Sequence, residues 1–237
     1  MNLLPHRHIG AVVCVGPGGN IQYGTGTLIS RDLVLTCAHV IYNRMHQAYY
    51  PKIVFYPSLY GDMEKWHMVE DYMAPEKFGE KQEFYDPRSF DYALLKLQKP
   101  VEESGFMELS DTPEEINEED TLSIYGYPVS MYEKEEGKPV ASKQYGLERK
   151  GYILDLIIEA GYIIHRISAE AGQSGAPVIR TDPNGKMSIV GIHIGSTEDN
   201  IEQYQKDFPD LSKVNMTKVL NRPMLKRLKE FANKLKG

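Results

Sequence analysis

The chain has 237 residues, 41% of them hydrophobic and 25% charged. That is enough for one large or two modest domains with a proper core, and it excludes a largely disordered chain. The net charge of −6 is uneven: from Ser212 onward eight Lys/Arg stand against one acid, which leaves −13 on the first 211 residues. An acidic body with a basic tail argues against nucleic acid as the main partner.

Short β-type runs separated by turn signals fill the chain. IGAVVCV leads into the turn GPGGN, followed by IQYGTGTLIS and LVLTCAHVI, then KIVFYP and YALLKL. These runs are rich in β-branched and aromatic residues and about four to eight residues long, which suits a sandwich or barrel. The stretch 101–120 is acid-rich and apolar-poor, the composition of a solvated linker, and it divides the strands into two groups. Beyond it come TLSIYGYP, GYILDLII, YIIHRIS, APVIR and SIVGIHIG, with Asp182-Pro183-Asn184-Gly185 as a hairpin turn. At the end Leu225, Leu228, Phe231 and Leu235 recur at helical spacing after Pro223, so an amphipathic helix closes the chain. The expected units are a first β-barrel over residues 1–105, a linker over 106–120, a second barrel over 121–220 and a helix over 221–237.

Two cysteines, Cys14 and Cys37, are too few for a disulfide scaffold; they read as free thiols, with a single bridge as the alternative. No run reaches the roughly eighteen apolar residues of a membrane span. MNLLPHRHIGAVV has no signal-peptide pattern, so the chain reads as cytoplasmic as encoded, or extracellular if a leader has been removed.

Three motifs carry chemistry. His39 follows the apolar run in LTCAHV, Asp91 leads into the strand DYALLKL, and Ser174 lies between Gly172 and Gly175 in GQSGAPV. A serine hydroxyl is a poor nucleophile until a base accepts its proton. The base needs a carboxylate to fix its tautomer, and the developing oxyanion needs N–H donors. Taken singly, His39 and Asp91 read as structural residues; the order His, Asp, Ser along one chain is what gives them a joint reading.

Together with GTGTLIS, GYP and IVGIHIG, these motifs make the chain resemble a chymotrypsin-fold (trypsin-like) serine peptidase, over nearly its whole length. The resemblance implies an all-β fold of two six-stranded antiparallel β-barrels with a C-terminal α-helix. It implies an endopeptidase working through an acyl-enzyme on polypeptide substrates, without metal or cofactor, and as a monomer. His39 would be the general base, Asp91 its orienting acid and Ser174 the nucleophile, with the N–H groups of Gly172 and Ser174 as the oxyanion hole. The low disulfide content and GIH make it similar to the bacterial glutamyl endopeptidase group, in which the histidine matching His193 binds an acidic side chain before the cut. Ser168, Ala169, Gly195 and Ser196 would line the same pocket, although Ala169 stands where that group presents a hydroxyl. A preference for a neutral or small residue is the rival, and a catalytically silent peptide-binding protein is the alternative function.

Other signals carry less. His6-Arg7-His8 lacks a completing ligand and reads as solvated surface. GPGGN lacks the lysine and helix of a phosphate loop. The residues GQSGA do not fit the Gly-x-Ser-x-Gly elbow, since Ala176 stands in place of its last glycine. For the interval 42–90, with WHMVEDYMAPEKFGEKQEFYDP, the resemblance implies surface loops beside the cleft.

Overall fold

A computed structural model describes residues 5–57, 65–78, 87–102, 105–112, 115–116, 121–135, 138–141, 147–157, 161–182, 184–197, 201–207, 209–210 and 212–236. Its first half contains β1 (Ile9–Val15), β2 (Ile21–Leu28), β3 (Leu33–Thr36), a short helix α1 (Ala38–Ile41), the paired β4 (Tyr42–Asn43) and β5 (Ala48–Tyr49), β6 (Lys52–Pro57), β7 (His67–Met73) and β8 (Ala93–Leu97). β1-β2-β3-β8-β7-β6 close into an antiparallel barrel, sealed where β1 pairs with β6 through Val12↔Phe55 and Val13↔Val54. Val12, Cys14, Leu35, Phe55 and Leu94 fill its interior with no exposed surface.

The second half contains β9 (Thr121–Gly126), the hairpin β10 (Tyr132–Glu135) and β11 (Lys138–Ala141), β12 (Leu147–Ile157), β13 (Tyr162–His165), β14 (Pro177–Thr181), β15 (Met187–Thr197), the short helix α2 (Ile201–Gln205), β16 (Val214–Val219) and α3 (Arg222–Lys236). β12-β13-β16-β15-β14-β9 form a second closed antiparallel barrel around Leu122, Ile124, Ile163, Val178 and Val190. The fold is therefore the all-β, two-barrel arrangement with a terminal helix that the resemblance implied.

Three expectations change. The interval 42–90 is not simply surface loop, because His67–Met73 supplies barrel strand β7 between β6 and β8. Its alternation is broken at a bulge between Val69 and Asp71, which hides the strand from a period-2 reading. (Residues 79–86 of the same interval lie outside the described residues.) The acid-rich connector also does more than link. Met107 donates its N–H to Leu28 O, Ser110 donates to Ile189 O, Leu109 bridges to Ile189, and Met107 and Ser110 are buried. His8, expected on the solvated surface, is buried and lies against Gly105; the side chain of His6 is outside the described residues. Cys14 and Cys37 are separate, buried free thiols.

α3 begins where Asn221 Oδ1 accepts the Met224 N–H at 3.1 Å, a side-chain cap on the first turn, with Pro223 just inside. Its apolar stripe turns back onto the first barrel at β7 and β8. Met224 and Leu228 are buried, and the Phe231 ring stacks on Tyr92 with centroids 6.4 Å apart. Among the described residues no helix is long and apolar enough to cross a membrane.

Candidate active site

His39 is the second residue of α1, and the extended backbone of Cys37 turns the chain out of β3 into that helix. Asp91 follows the short helical turn Pro87–Phe90 and precedes β8. The two meet through a double contact. The His39 backbone N–H donates to Asp91 Oδ1 at 2.9 Å, and His39 Nδ1 lies 2.6 Å from Asp91 Oδ2. A carboxylate at Nδ1 keeps the proton there and leaves Nε2 bare as the acceptor. Asp91 is almost fully covered while the imidazole is 19% exposed, so the pair is open on the histidine side.

The turn carrying Asp91 is held from both sides. The Tyr162 hydroxyl of the second barrel donates to Ser89 Oγ at 3.0 Å, and Asp91 N–H donates to Arg88 O at 3.2 Å. Tyr92, next in sequence, is pinned under Phe231 of α3.

The loop bearing Ser174 is fastened to the first barrel by backbone. Ser174 O accepts the Thr25 N–H at 2.8 Å, and Gly175 N–H donates to His193 O at 2.8 Å. Gly175 has φ +85, and a Cβ there would run into the Thr25 carbonyl and the Thr36 hydroxyl, so only glycine fits. Gly172, at φ +94, would carry a Cβ 2.6 Å from Tyr127 O. Thr25 Oγ1 donates to Gly172 O at 2.9 Å and accepts the Tyr127 N–H at 3.0 Å, while Thr36 Oγ1 donates to Thr25 O at 2.7 Å. Cys37 Sγ donates to His193 O at 3.2 Å, which puts the residue two before His39 directly behind the serine loop.

Gln173, fully buried, locks the loop internally: its N–H donates to Glu170 O at 3.1 Å and its Oε1 accepts the Glu170 N–H at 2.8 Å. The N–H groups of Gly172 and Ser174 donate to no described group. Ser174 itself is half-buried. Among the described residues no hydrogen bond joins its hydroxyl to His39; in unliganded sites such bonds are often long and tighten only with substrate.

The five pocket candidates fall into three kinds. Ala169 and His193 are buried, Gly195 is partly covered with φ +134, and Ser168 and Ser196 are exposed. The His193 ring lies 6.1 Å from that of His165, and their Nδ1 atoms have no hydrogen-bond partner among the described residues. His165 Nε2 meets Thr217 Oγ1 at 3.0 Å, and Asn215 Nδ2 donates to Ile167 O at 2.8 Å. Burial pushes His193 down to about 4, helped by the charge of His39 and of Lys213 and opposed by the Met216 carbonyl. Burial, with His193 beside it, also holds His165 well below the usual histidine range. Both rings are neutral near pH 7.

Sequence reading had assigned no role to Thr25, Thr36, Cys37, Tyr127, His165, Asn215 or Thr217. Thr25 lies in GTGTLIS, but its partners stand at positions 127 and 172, and no local pattern reveals a pairing across that distance.

Two barrels, with a His–Asp pair on the first and a serine between Gly172 and Gly175 on the second, define a class, the chymotrypsin fold of serine peptidases. The chain belongs to the trypsin-like peptidase family: the family model for the trypsin-like peptidase domain matches residues 24–192. Among solved structures it is similar to a Glu endopeptidase in complex with MPD, at 20% identity and TM-score 0.68, over 98% of this chain and 91% of that one. It is also similar to the scabies mite inactivated protease paralogue S-I1, at 17% identity and TM-score 0.66, over 97% and 96%. A third likeness is the active form of the Rv3671c protease from M. tuberculosis, at 18% identity and TM-score 0.58, over 91% and 77%. No curated protein matches the sequence. At these identities the structural likeness is one of fold.

Proposed function

We propose that this protein is a serine endopeptidase in which Ser174 attacks the scissile carbonyl, His39 Nε2 takes its proton and returns it to the leaving amine, and Asp91 holds the imidazole. The N–H groups of Gly172 and Ser174 receive the oxyanion of an acyl-transfer reaction. The observation that carries the reading is the Asp91 carboxylate, covered from solvent and bound to His39 at both Nδ1 and the backbone N–H. A cap residue has no need to fix an imidazole tautomer, whereas a general base does.

For the residue before the cut we propose Glu or Asp. His193 offers a neutral imidazole that a substrate carboxylate draws toward the charged form, and the exposed Lys213 contributes a positive field at that ring. Ser168, Gly195 and Ser196 are the outer contacts in this reading, and Ala169 supplies no hydroxyl. A second reading, a peptide-binding protein without turnover, rests on the likeness in fold to an inactivated protease paralogue.

Labelling by a serine-directed fluorophosphonate tests the first point. Labelling at neutral pH that disappears in Ser174→Ala is the expected result, and a folded protein that takes no label and cleaves nothing in a mixed peptide library is the silent binder. For the pocket, His193→Ala should cost peptides with Glu before the cut far more than those with Leu. Equal losses on both would remove the acidic preference.

A further inference from the structure

Cys37 has no part in the acyl-transfer reading, yet its sulfur sits against the catalytic pair. One donor atom each from Cys37, His39 and Asp91 lie within 4.8 Å of one another. We propose that these three side chains form an inhibitory site for a thiophilic divalent cation, Zn2+ in particular; the inhibition, though not the binding, rests on the peptidase reading above.

A thiolate, an imidazole nitrogen and a carboxylate oxygen are a mixed set that zinc takes readily, with a fourth position left for water. The ion enters from the side of His39, the one member of the three with an appreciably exposed side chain. The fit needs a modest adjustment: two ligands on a tetrahedral ion stand about 3.3 Å apart, so the 2.6 Å His39–Asp91 contact opens as the metal replaces the proton between them. The Cys37 sulfur exchanges its hydrogen bond to His193 O for the metal.

The step balances without a redox partner. Cys37 loses its thiol proton to solvent, as a coordinating thiol does. The Nδ1 proton of His39 is lost and one is gained at Nε2, so one proton is released per ion, and S–Zn, N–Zn and O–Zn bonds replace water on the hydrated cation. Inhibition follows from the tautomer. With metal on Nδ1 the proton sits on Nε2, and the atom that must accept the serine proton is now a donor.

The test uses the intact protein in chelator-free buffer. Zn2+ should inhibit peptide cleavage, EDTA should restore it, and Mg2+ should do nothing. Cys37→Ala should keep activity and lose zinc sensitivity by more than the about 10- to 100-fold that removing a mere outer partner of a metal site costs. Cd2+ reports the same site without catalysis: a cadmium–thiolate absorption band is expected in wild type and in Ser174→Ala, and its loss in Cys37→Ala identifies the sulfur. His39→Asn, which keeps both cysteines, should lose the band too, and this decides the matter if Cys37→Ala fails to fold. Zinc inhibition equal in wild type and Cys37→Ala overturns the proposal, as does a folded wild-type protein with no cadmium band. A band without any peptidase activity would leave the metal site standing and count against the enzymatic reading.

Discussion

Thr25→Val isolates the joint between the barrels. Thr25 is fully buried, and its hydroxyl serves two backbone groups, donating to Gly172 O and accepting from Tyr127 N–H. Valine keeps the shape and removes both bonds, leaving a buried carbonyl and a buried N–H unpaired. Each orphaned group costs about 1–3 kcal/mol, so the loss is about 2–6 kcal/mol in all. Thr36→Val is the internal control, since it removes one hydrogen bond, that to Thr25 O, and should cost about half as much. Denaturant titration reads both, with the midpoint shifting and the slope unchanged if the native state stays compact. Because Gly172 is a proposed oxyanion donor whose carbonyl side Thr25 anchors, cleavage by Thr25→Val should fall in kcat more than in KM. The Ser174 O···H–N Thr25 bond survives the change and keeps the loop in place. A Thr25→Val protein within about 0.5 kcal/mol of wild type, the range of an ordinary surface substitution, would refute the claim that this hydroxyl holds the Ser174 loop. So would a Thr36→Val that costs as much.

Two more outcomes follow from the packing and from the buried histidines. Leu228, 2% exposed, anchors α3 on the first barrel, so Leu228→Ala should lower stability by about 2–4 kcal/mol; an unchanged unfolding midpoint would show that the helix lies outside the cooperative core. His193 has a folded value depressed from 6.5 to about 4, so as pH falls below 6.5 the unfolded chain binds a proton that the folded chain refuses. Stability that His193 leaves intact above pH 6.5 is therefore lost progressively down to about 4, by about 3 kcal/mol. His193→Gln should flatten the stability–pH curve over that window, and a curve with wild-type slope would contradict the burial argument.

Much of the fold was legible in local sequence. Runs such as IGAVVCV, LVLT and YALLKL became β1, β3 and β8 because β-branched and apolar residues bounded by turn signals have few other uses, and the capped α3 followed from its spacing. β7 escaped because its bulge breaks the alternation, and the buried Met107 escaped because acids surround it in sequence. His39, Asp91 and Ser174 stood out as residue types in a known order, and their neighbouring motifs gave them a joint meaning.

The sequence by itself determined most of the strands and the terminal helix, and it singled out His39, Asp91 and Ser174 as candidates for nucleophilic chemistry, since those depend on residue type and near neighbours. Tertiary structure alone decided that Asp91 grips His39 twice, that Thr25 and Thr36 brace the serine loop, and that Cys37 lies beneath the site. Those contacts join residues from 11 to 156 positions apart. Closing each barrel and packing the two together fixes such pairings, because a buried hydroxyl, thiol or carboxylate must find its partner wherever the fold brings one.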